Sequence, residues 1–218
     1  MRRKTTFAFS LVLITGGALW AAEEDLKTIF DGKSGAGWST NTGKPLPKEN
    51  VQADGLNPHG SGGYIVVYEK PLRNFVLDFD YKLTKGCNSG VFLRVADLKD
   101  PVMTGLEVAI DDTTGTGMHD PGAFYDLVAP RVNAQKPAGE WNHMTIVAKG
   151  PKIFIRLNKE EVSEIDLDQF KETGKRPDGS PHKFTGVSIK DMNRAGHFGF
   201  QDHGSDCWFK SVKLKELP

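Results

Sequence analysis

Apolar and polar residues alternate along much of this chain, in short segments separated by glycine, proline and other turn-forming residues. The clearest example is 75–83, in which every second residue is aromatic or leucine. A period of two residues places one set of side chains on one face, so this pattern predicts a half-buried β-strand. Similar patterns predict strands at 64–68, 90–95, 106–110, 144–148, 153–157, 197–201 and 208–214.

The remaining patterns predict turns rather than helices. Asn158 and Lys159 follow one predicted strand, and because Asn tolerates a positive φ, this pair predicts the turn of a hairpin that returns through Val162. The segment 167–172 is compatible with one or two helical turns that Gly174 would end. Many short strands without crossover helices predict an all-β fold: a sandwich or jelly roll of two antiparallel sheets in a single domain.

The first residues have the pattern of a secretory signal. Three basic residues at 2–4 precede an apolar stretch, 6–20, that is short for a membrane span, and two alanines at 21–22 offer a cleavage site. We therefore predict a cleaved signal peptide over residues 1–22, a domain over residues 23–218, and a secreted or periplasmic location. No later segment has the length and apolarity of a membrane span, so we expect no membrane partner after cleavage.

Charge and cysteine content narrow the class of partner. Basic and acidic residues balance at 28 each, and no basic cluster follows the N-terminal segment. This balance argues against nucleic acid and fits a neutral substrate better. Cys87 and Cys207 form a disulfide in an oxidising compartment or stay as two free buried thiols, and the sequence leaves both open. No Cys-x-x-Cys or His-rich spacing indicates structural zinc.

Three ionisable residues are predicted to converge on one face of a sheet. The period of two places Arg94 on the same face as Asn88, Glu107 lies on the next strand, and His203 ends a later one. A guanidinium, a carboxylate and an imidazole could bind a sugar, hold a divalent metal ion through Glu107 and His203, or move a proton. The structural alternatives are an Arg94–Glu107 ion pair inside the sandwich and a histidine with a purely structural role.

Further polar residues are predicted to contact a substrate on that face. These residues are Asn88, Asp111, Tyr125, Gln201 and His119. Asp111 has an alternative role in a turn at the strand end, and His119 has one as a solvent-exposed loop residue. Trp141 is predicted to belong to the core and a turn, with stacking on a sugar as the alternative.

Taken in order, several segments resemble the 3-keto-disaccharide hydrolase family of the concanavalin-A-like lectin and glucanase superfamily. The matching segments are 29–33 with Trp38, 88–94, Glu107, 122–125, 136–142, 201–204 and 210–212. The resemblance implies a jelly-roll sandwich whose concave face binds carbohydrate, in a protein of the bacterial cell envelope. This chain departs from the family pattern at Ala109, where Gln is usual, and at Ser211, where Asn is usual.

The resemblance also implies action on glycosides already oxidised to a ketone at C3 of the sugar. Such a ketone acidifies the C2 proton, so a base can remove it, the C1 oxygen leaves by elimination, and water adds to the enone. We predict that Glu107 and His203 share the roles of base and acid, in either order, with Arg94 and a divalent metal ion as candidates for stabilising the enolate.

A carbohydrate-binding domain without catalysis, similar to a lectin, is the alternative on the same fold. Such a domain needs aromatic platforms and hydrogen-bonding amides rather than a cluster of ionisable groups. The three ionisable residues therefore favour the enzyme, whereas Ala109, which lacks the usual amide, favours the binding domain.

Overall fold

A computed structural model describes residues 25–218, and within them β-strands dominate. In chain order the strands are β1 (Lys27–Phe30), β2 (Trp38–Thr40), β3 (Val51–Gln52), β4 (Gly55–Leu56), β5 (Ile65–Tyr68), β6 (Phe75–Leu83), β7 (Asn88–Val95), β8 (Leu106–Asp111), β9 (Asn142–Lys149), β10 (Lys152–Leu157), β11 (Glu160–Asp166), β12 (His197–Gln201) and β13 (Cys207–Glu216). Helical structure in the described residues is one short helix, α1 (Pro101–Thr104), and the 3-10 turns Lys48–Asn50, Leu167–Gln169 and Ile189–Asp191.

The strands form two antiparallel sheets. The eight-stranded sheet has the order β11-β10-β9-β6-β13-β4-β3, and β1 also pairs with β13. The five-stranded sheet has the order β2-β5-β12-β7-β8. The two sheets pack face to face because alternate residues of each strand are apolar: Leu77 and Phe79 of one sheet share a buried core with Val91, Val108 and Phe200 of the other.

The strands predicted from alternation are confirmed, with ends that differ by at most two residues. The hairpin turn is also confirmed, since Asn158 and Lys159 have φ values of 49° and 77° and β10 pairs with β11. The helix predicted at 167–172 is reduced to the 3-10 turn Leu167–Gln169, which begins where the Asp166 side chain accepts a hydrogen bond from the Asp168 N–H.

Two further predictions concern the N-terminal segment and the two cysteines. The predicted signal peptide, residues 1–22, lies outside the described residues. Within 25–218, no helix is long and apolar enough to cross a membrane. Cys87 and Cys207 are free, buried thiols, and the hydrogen bond between them lowers the pKa of Cys87.

A histidine on the outer face of the eight-stranded sheet makes stability dependent on pH. His143 lies between Asp78 and Asp80, with nitrogen–oxygen distances of 3.0 and 2.9 Å. Hydrogen bonding to Asp78 raises the pKa of His143 from 6.5 to about 9. This stabilisation is complete below pH 6.5 and is lost as the pH rises through 9, since the folded state then no longer holds an extra proton.

We expect His143→Gln to lower the free energy of unfolding by about 1 kcal/mol at pH 6, a value reduced by solvent screening of the half-exposed ring. The difference from the wild type should vanish near pH 10. Thermal unfolding of both proteins across this range measures it, and a difference that stays constant with pH would contradict the assigned ion pairs.

Candidate active site on the five-stranded sheet

A small cleft opens on the outer face of the five-stranded sheet. It has a volume of about 220 Å³. Its lining combines aromatic, ionisable and amide side chains: Tyr64, Asn88, Val102, Glu107, Tyr125, Lys183, Gln201 and His203. Asn88, Glu107 and Gln201 belong to strands, whereas Tyr125, Lys183 and His203 belong to connecting segments. The cleft therefore has a floor made by the sheet and a rim made by loops.

Glu107 reaches the floor because β8 alternates strictly. Leu106, Val108 and Ile110 point into the core between the sheets, so Glu107 points to the outer face. The neighbouring strand makes room for it at Gly90, where a Cβ atom would lie only 2.9 Å from Oε1 of Glu107. The gap that Gly90 leaves is thus filled by the carboxyl group, and Glu107 as a whole is only 7% exposed.

Burial changes the acidity of Glu107. Desolvation raises the pKa of this carboxyl from 4.5 to about 7, and the nearby Lys183 opposes the rise. The Lys183 ammonium lies 3.9 Å from Oε2 of Glu107 and 4.5 Å from the centre of the Tyr125 ring. Burial in turn lowers the pKa of Lys183. A carboxyl that titrates near neutrality can both accept and donate a proton at physiological pH.

Tyr64 and Gln201 form a second polar pair in the cleft. Nε2 of Gln201 donates to the Tyr64 hydroxyl oxygen over 2.6 Å, which leaves the phenolic proton available to a bound molecule. Burial raises the pKa of Tyr64, so the phenol stays protonated. Gln201 is 3% exposed, and its Oε1 atom has no partner within the described residues. A buried acceptor of this kind suits a ligand hydroxyl.

His203 lies just beyond β12 and lines the cleft with Asn88. The loop that carries it is anchored by the preceding residue, Asp202, whose carboxylate accepts hydrogen bonds from the N–H groups of Gly60 and Gly204, both over 2.9 Å. Asp111 is the cross-strand partner of Asn88. Burial raises the pKa of Asp111, and the charge of His203 acts in the opposite direction. Asn88 and His203 form the polar end of the cleft, whereas Asp111 and Asp202 lie next to them without lining it.

The loop after β8 closes one side of the cleft. The Tyr125 N–H donates to the Glu107 carbonyl over 2.9 Å, so this loop covers the free edge of β8. His119 stacks on the Tyr125 ring with 4.3 Å between ring centres. His119 thus supports a residue of the cleft without lining it. Trp141 lies on the opposite side of the sandwich, where the Lys210 ammonium is 3.6 Å from its ring centre.

Arg94 does not join Glu107 and His203, and the prediction that it does is wrong. The regular alternation of β7 breaks at a bulge, where Arg94 adopts a φ of 54°. Its guanidinium therefore leaves the cleft face and donates to the carbonyl oxygens of Arg73 and Gly150. Arg94 is 1% exposed and ties the turn between β9 and β10 to the other sheet.

Lys183 supplies the positive charge that was predicted for Arg94. It lies in a loop between β11 and β12 that has no apolar period, so alternation could not assign it to a face. Tyr64 was also missed as a site residue, although it begins a predicted strand. The half-buried Tyr64 ring packs edge-to-face against the buried Phe92, with 5.8 Å between ring centres.

The side chains of the cleft do not form a set of ligands that would hold a metal ion by themselves. Within residues 25–218, no group of three or more His, Cys, Asp or Glu side chains is close enough to bind one. Glu107 and His203 were predicted as ligands, but Glu107 has an ammonium as its nearest charged neighbour, which disfavours a cation there.

The fold and the cleft define a concanavalin-A-like jelly-roll protein with a polar, partly buried site on one sheet. A family model described as the 3-keto-alpha-glucoside-1,2-lyase-like domain matches residues 25–215, so the chain belongs to this family. The resemblance found in the sequence is therefore confirmed.

Individual relatives agree with this assignment. A protein of Bacteroides thetaiotaomicron named 3-keto-disaccharide hydrolase is 26% identical over 87% of this chain and 78% of its own length. Crystal structures of two candidate glycosyl hydrolases from Parabacteroides distasonis match as well. One is 31% identical, with a TM-score of 0.67 over 70% of this chain and 83% of its own. The other is 22% identical, with a TM-score of 0.73 over 94% of this chain and 99% of its own length.

A more distant structure supports the fold alone. The carbohydrate binding module CBM66 of Bacillus subtilis is 14% identical and has a TM-score of 0.51, over 87% of this chain and 99% of its own. This likeness agrees with the jelly roll of two antiparallel sheets that the strands form.

Proposed function

We propose that this protein cleaves glycosides whose sugar carries a ketone at C3, by removing the C2 proton and eliminating the C1 oxygen. The observation that carries the proposal is the buried Glu107 carboxyl, which titrates near neutrality and lies beside an ammonium in a polar cleft. The family and the name of the Bacteroides relative support a carbohydrate substrate. The export predicted from residues 1–22 is part of the same proposal.

The chemistry requires a base that is matched to a weakly acidic carbon. A ketone at C3 allows the electrons of the C2–H bond to delocalise into the carbonyl as the proton leaves. Glu107 is the base in our assignment, because a pKa of about 7 gives it a large ionised fraction at neutral pH together with greater basicity than an exposed carboxylate. Its proton is taken from C2, and an enolate forms at the C3 oxygen.

The enolate needs a nearby positive charge or hydrogen-bond donor. Lys183 is the cationic neighbour of Glu107, and Tyr64 has a phenolic proton that its contact with Gln201 does not use. We assign both groups to the developing oxyanion, where preorganised donors in a partly desolvated site have their largest effect. Lys183 thereby takes the role that the sequence suggested for Arg94.

Collapse of the enolate then breaks the C1–O bond. The electron pair of the enolate forms the C1–C2 double bond, and the departing oxygen takes a proton. His203, which lines the same cleft, is our candidate for this proton donor. Addition of water at C1, with a proton returned to C2, gives the free 3-keto sugar, so elimination and hydration together amount to hydrolysis.

The test is incubation of the protein with a 3-keto-glucoside, with and without a chelator, beside the same glucoside lacking the ketone. We expect release of the aglycone only from the oxidised substrate. In heavy water, elimination and hydration should place deuterium at C2 of the product, whereas direct hydrolysis keeps the original hydrogen. The free product incubated without protein corrects for spontaneous exchange.

The outcomes separate the candidate functions. No cleavage of any 3-keto glycoside, together with measurable glycan binding, would replace the enzyme by a carbohydrate-binding domain. Cleavage of the unoxidised glucoside at a similar rate would show that the ketone is not used. Loss of cleavage with the chelator would show that a metal takes part and would contradict our assignment of Lys183 as the main charge at the oxyanion.

A further inference from the structure

The position of Lys183 depends on contacts with distant parts of the chain. Between β11 and β12 the described structure has only the 3-10 turns Leu167–Gln169 and Ile189–Asp191, so no regular element holds Lys183. Its ammonium nevertheless lies 3.9 Å from Glu107. Main-chain hydrogen bonds within the segment hold the residues on either side of it, from the His182 N–H to the Gly174 carbonyl and from the Gly174 N–H to the Phe184 carbonyl. Contacts with residues outside the segment must fix Lys183 further, because a long side chain loses rotamer entropy when it is held in one place.

Asp126 makes these contacts. Its Oδ2 atom accepts a hydrogen bond from the Lys183 main-chain N–H over 2.7 Å. Its Oδ1 atom accepts one from Nη2 of Arg176 over 2.6 Å. The Asp126 carbonyl accepts from Nε and Nη2 of the same guanidinium, over 3.1 and 2.7 Å. One aspartate therefore connects to the lysine loop at two points seven residues apart in sequence, Arg176 and Lys183.

Tyr125 completes the arrangement from the neighbouring position. Its N–H is bonded to the Glu107 carbonyl, and its ring lies under the Lys183 ammonium. Residues 125 and 126 thus contact both ends of Lys183, the ring at the ammonium and the carboxylate at the main chain. Asp126 has a φ of 60°, a conformation that Asp adopts more easily than most residues.

We infer that Asp126 is a positioning residue, which holds Lys183 beside Glu107 by binding the Lys183 main chain and the Arg176 guanidinium together. The inference rests on the proposed function for the meaning of the Glu107–Lys183 pair. Both partners of the Asp126 carboxylate are donors, so both oxygens must accept. Asparagine has nearly the same shape but turns an NH₂ group toward one of these donors, which should release either the loop or the arginine.

The experiment compares Asp126→Asn with Asp178→Asn, Lys183→Met and the wild type. Asp178 lies in the same loop, but its carboxylate accepts only from Ser180 among the hydrogen bonds of this segment, so it is a matched control. The first readout is the titration of the Glu107 carboxyl by NMR in protein labelled with ¹³C at the glutamate carboxyl. The Glu107 signal is identified by its absence in Glu107→Gln.

We expect Asp126→Asn to move the Glu107 titration midpoint to higher pH, in the same direction as Lys183→Met, and Asp178→Asn to leave it unchanged. The sign is informative, because the loss of a negative charge by itself would move the midpoint to lower pH. The other titratable groups that share the cleft, Tyr64, Tyr125 and His203, are intact in all four proteins. A midpoint that stays or falls in Asp126→Asn overturns the inference.

Kinetics supply a second, separable readout. Asp126→Asn should lower kcat/KM for a 3-keto-glucoside by about tenfold, as expected for a displaced catalytic group. Arg176→Lys keeps the positive charge but loses the planar guanidinium that binds Asp126. It should shift the Glu107 titration midpoint in the same direction as Asp126→Asn but by a smaller amount. This variant replaces Asp126→Asn in the test if Asp126→Asn does not fold. A wild type that is inactive on 3-keto glycosides would refute the proposed function, while the NMR titration would still decide the role of Asp126.

Discussion

Glu107→Gln should lower kcat on a 3-keto-glucoside by about 10³-fold, within the range that general acid–base groups contribute. The amide keeps the shape of the side chain above Gly90 but cannot accept the C2 proton. In the wild type, kcat/KM should rise with pH toward a plateau above about pH 7, because the base acts in its ionised form. Glu160→Gln, at the exposed first residue of β11, is the matched control and should retain full activity.

Glu107→Gln should be more stable than the wild type at alkaline pH. Glu107 has a pKa of about 7 in the folded protein against 4.5 as its ordinary value, so the folded state binds the proton more tightly than the unfolded state does. Stability is therefore unaffected below pH 4.5, falls as the pH rises from 4.5 to 7, and stays lower above that.

This difference in pKa corresponds to about 3 kcal/mol at most. In chemical unfolding, the free energy of unfolding of Glu107→Gln should exceed that of the wild type by most of this amount at pH 8. The two values should be equal at pH 4.5. Normal turnover by Glu107→Gln would remove this residue from the mechanism. Equal stability of the two proteins at pH 8 would show that the carboxyl is not desolvated.

Lys183→Met should lower kcat/KM by about 10²-fold, as the loss of one preorganised group at a developing oxyanion does. Methionine retains much of the apolar stem against Tyr125, so the loop should remain in place. The rise of kcat/KM with pH should move to higher pH, because the Lys183 charge opposes the increase in the Glu107 pKa. Pre-steady-state and steady-state kinetics between pH 5 and 9 measure both effects.

Lys171→Met, an exposed lysine earlier in the same connecting segment, is the control for Lys183→Met. It should change neither the rate nor the pH profile. If Lys183→Met lowered activity while the profile kept its position, the lysine would act on the substrate without influencing Glu107. Unchanged activity would show that the enolate is stabilised by other groups.

The floor of the cleft was predictable from sequence, because it depends on strict alternation. On β8 and β12 every second residue is apolar and buried between the sheets, so Glu107 and Gln201 must point outward. Asn88 follows from the same rule on β7. Placing them on adjacent strands required the order β12-β7-β8, which sequence alternation alone does not contain. The resemblance to a known family implied only that they share the concave face of a sandwich.

The errors have two physical sources. A single residue with a positive φ reverses the face of a side chain, and arginine carries no sequence signal for that conformation, so the bulge at Arg94 could not be foreseen. Lys183 is placed by tertiary contacts to Asp126 and Tyr125, which lie more than fifty residues away in the chain. The strands β1 to β4 have two to four residues each, too few for a period to be recognised.

The division of the cleft between sheet and loops has a consequence for how such proteins diversify. The carboxyl group that would abstract the proton is built into a hydrogen-bonded ladder, whereas Tyr125, Lys183 and His203 are carried by connections that tolerate insertion and exchange. Changes in those connections that spare Lys183 and His203 can therefore alter which aglycone is accepted without rebuilding the acid–base step. One scaffold can in this way acquire new substrates while its central reaction is inherited intact.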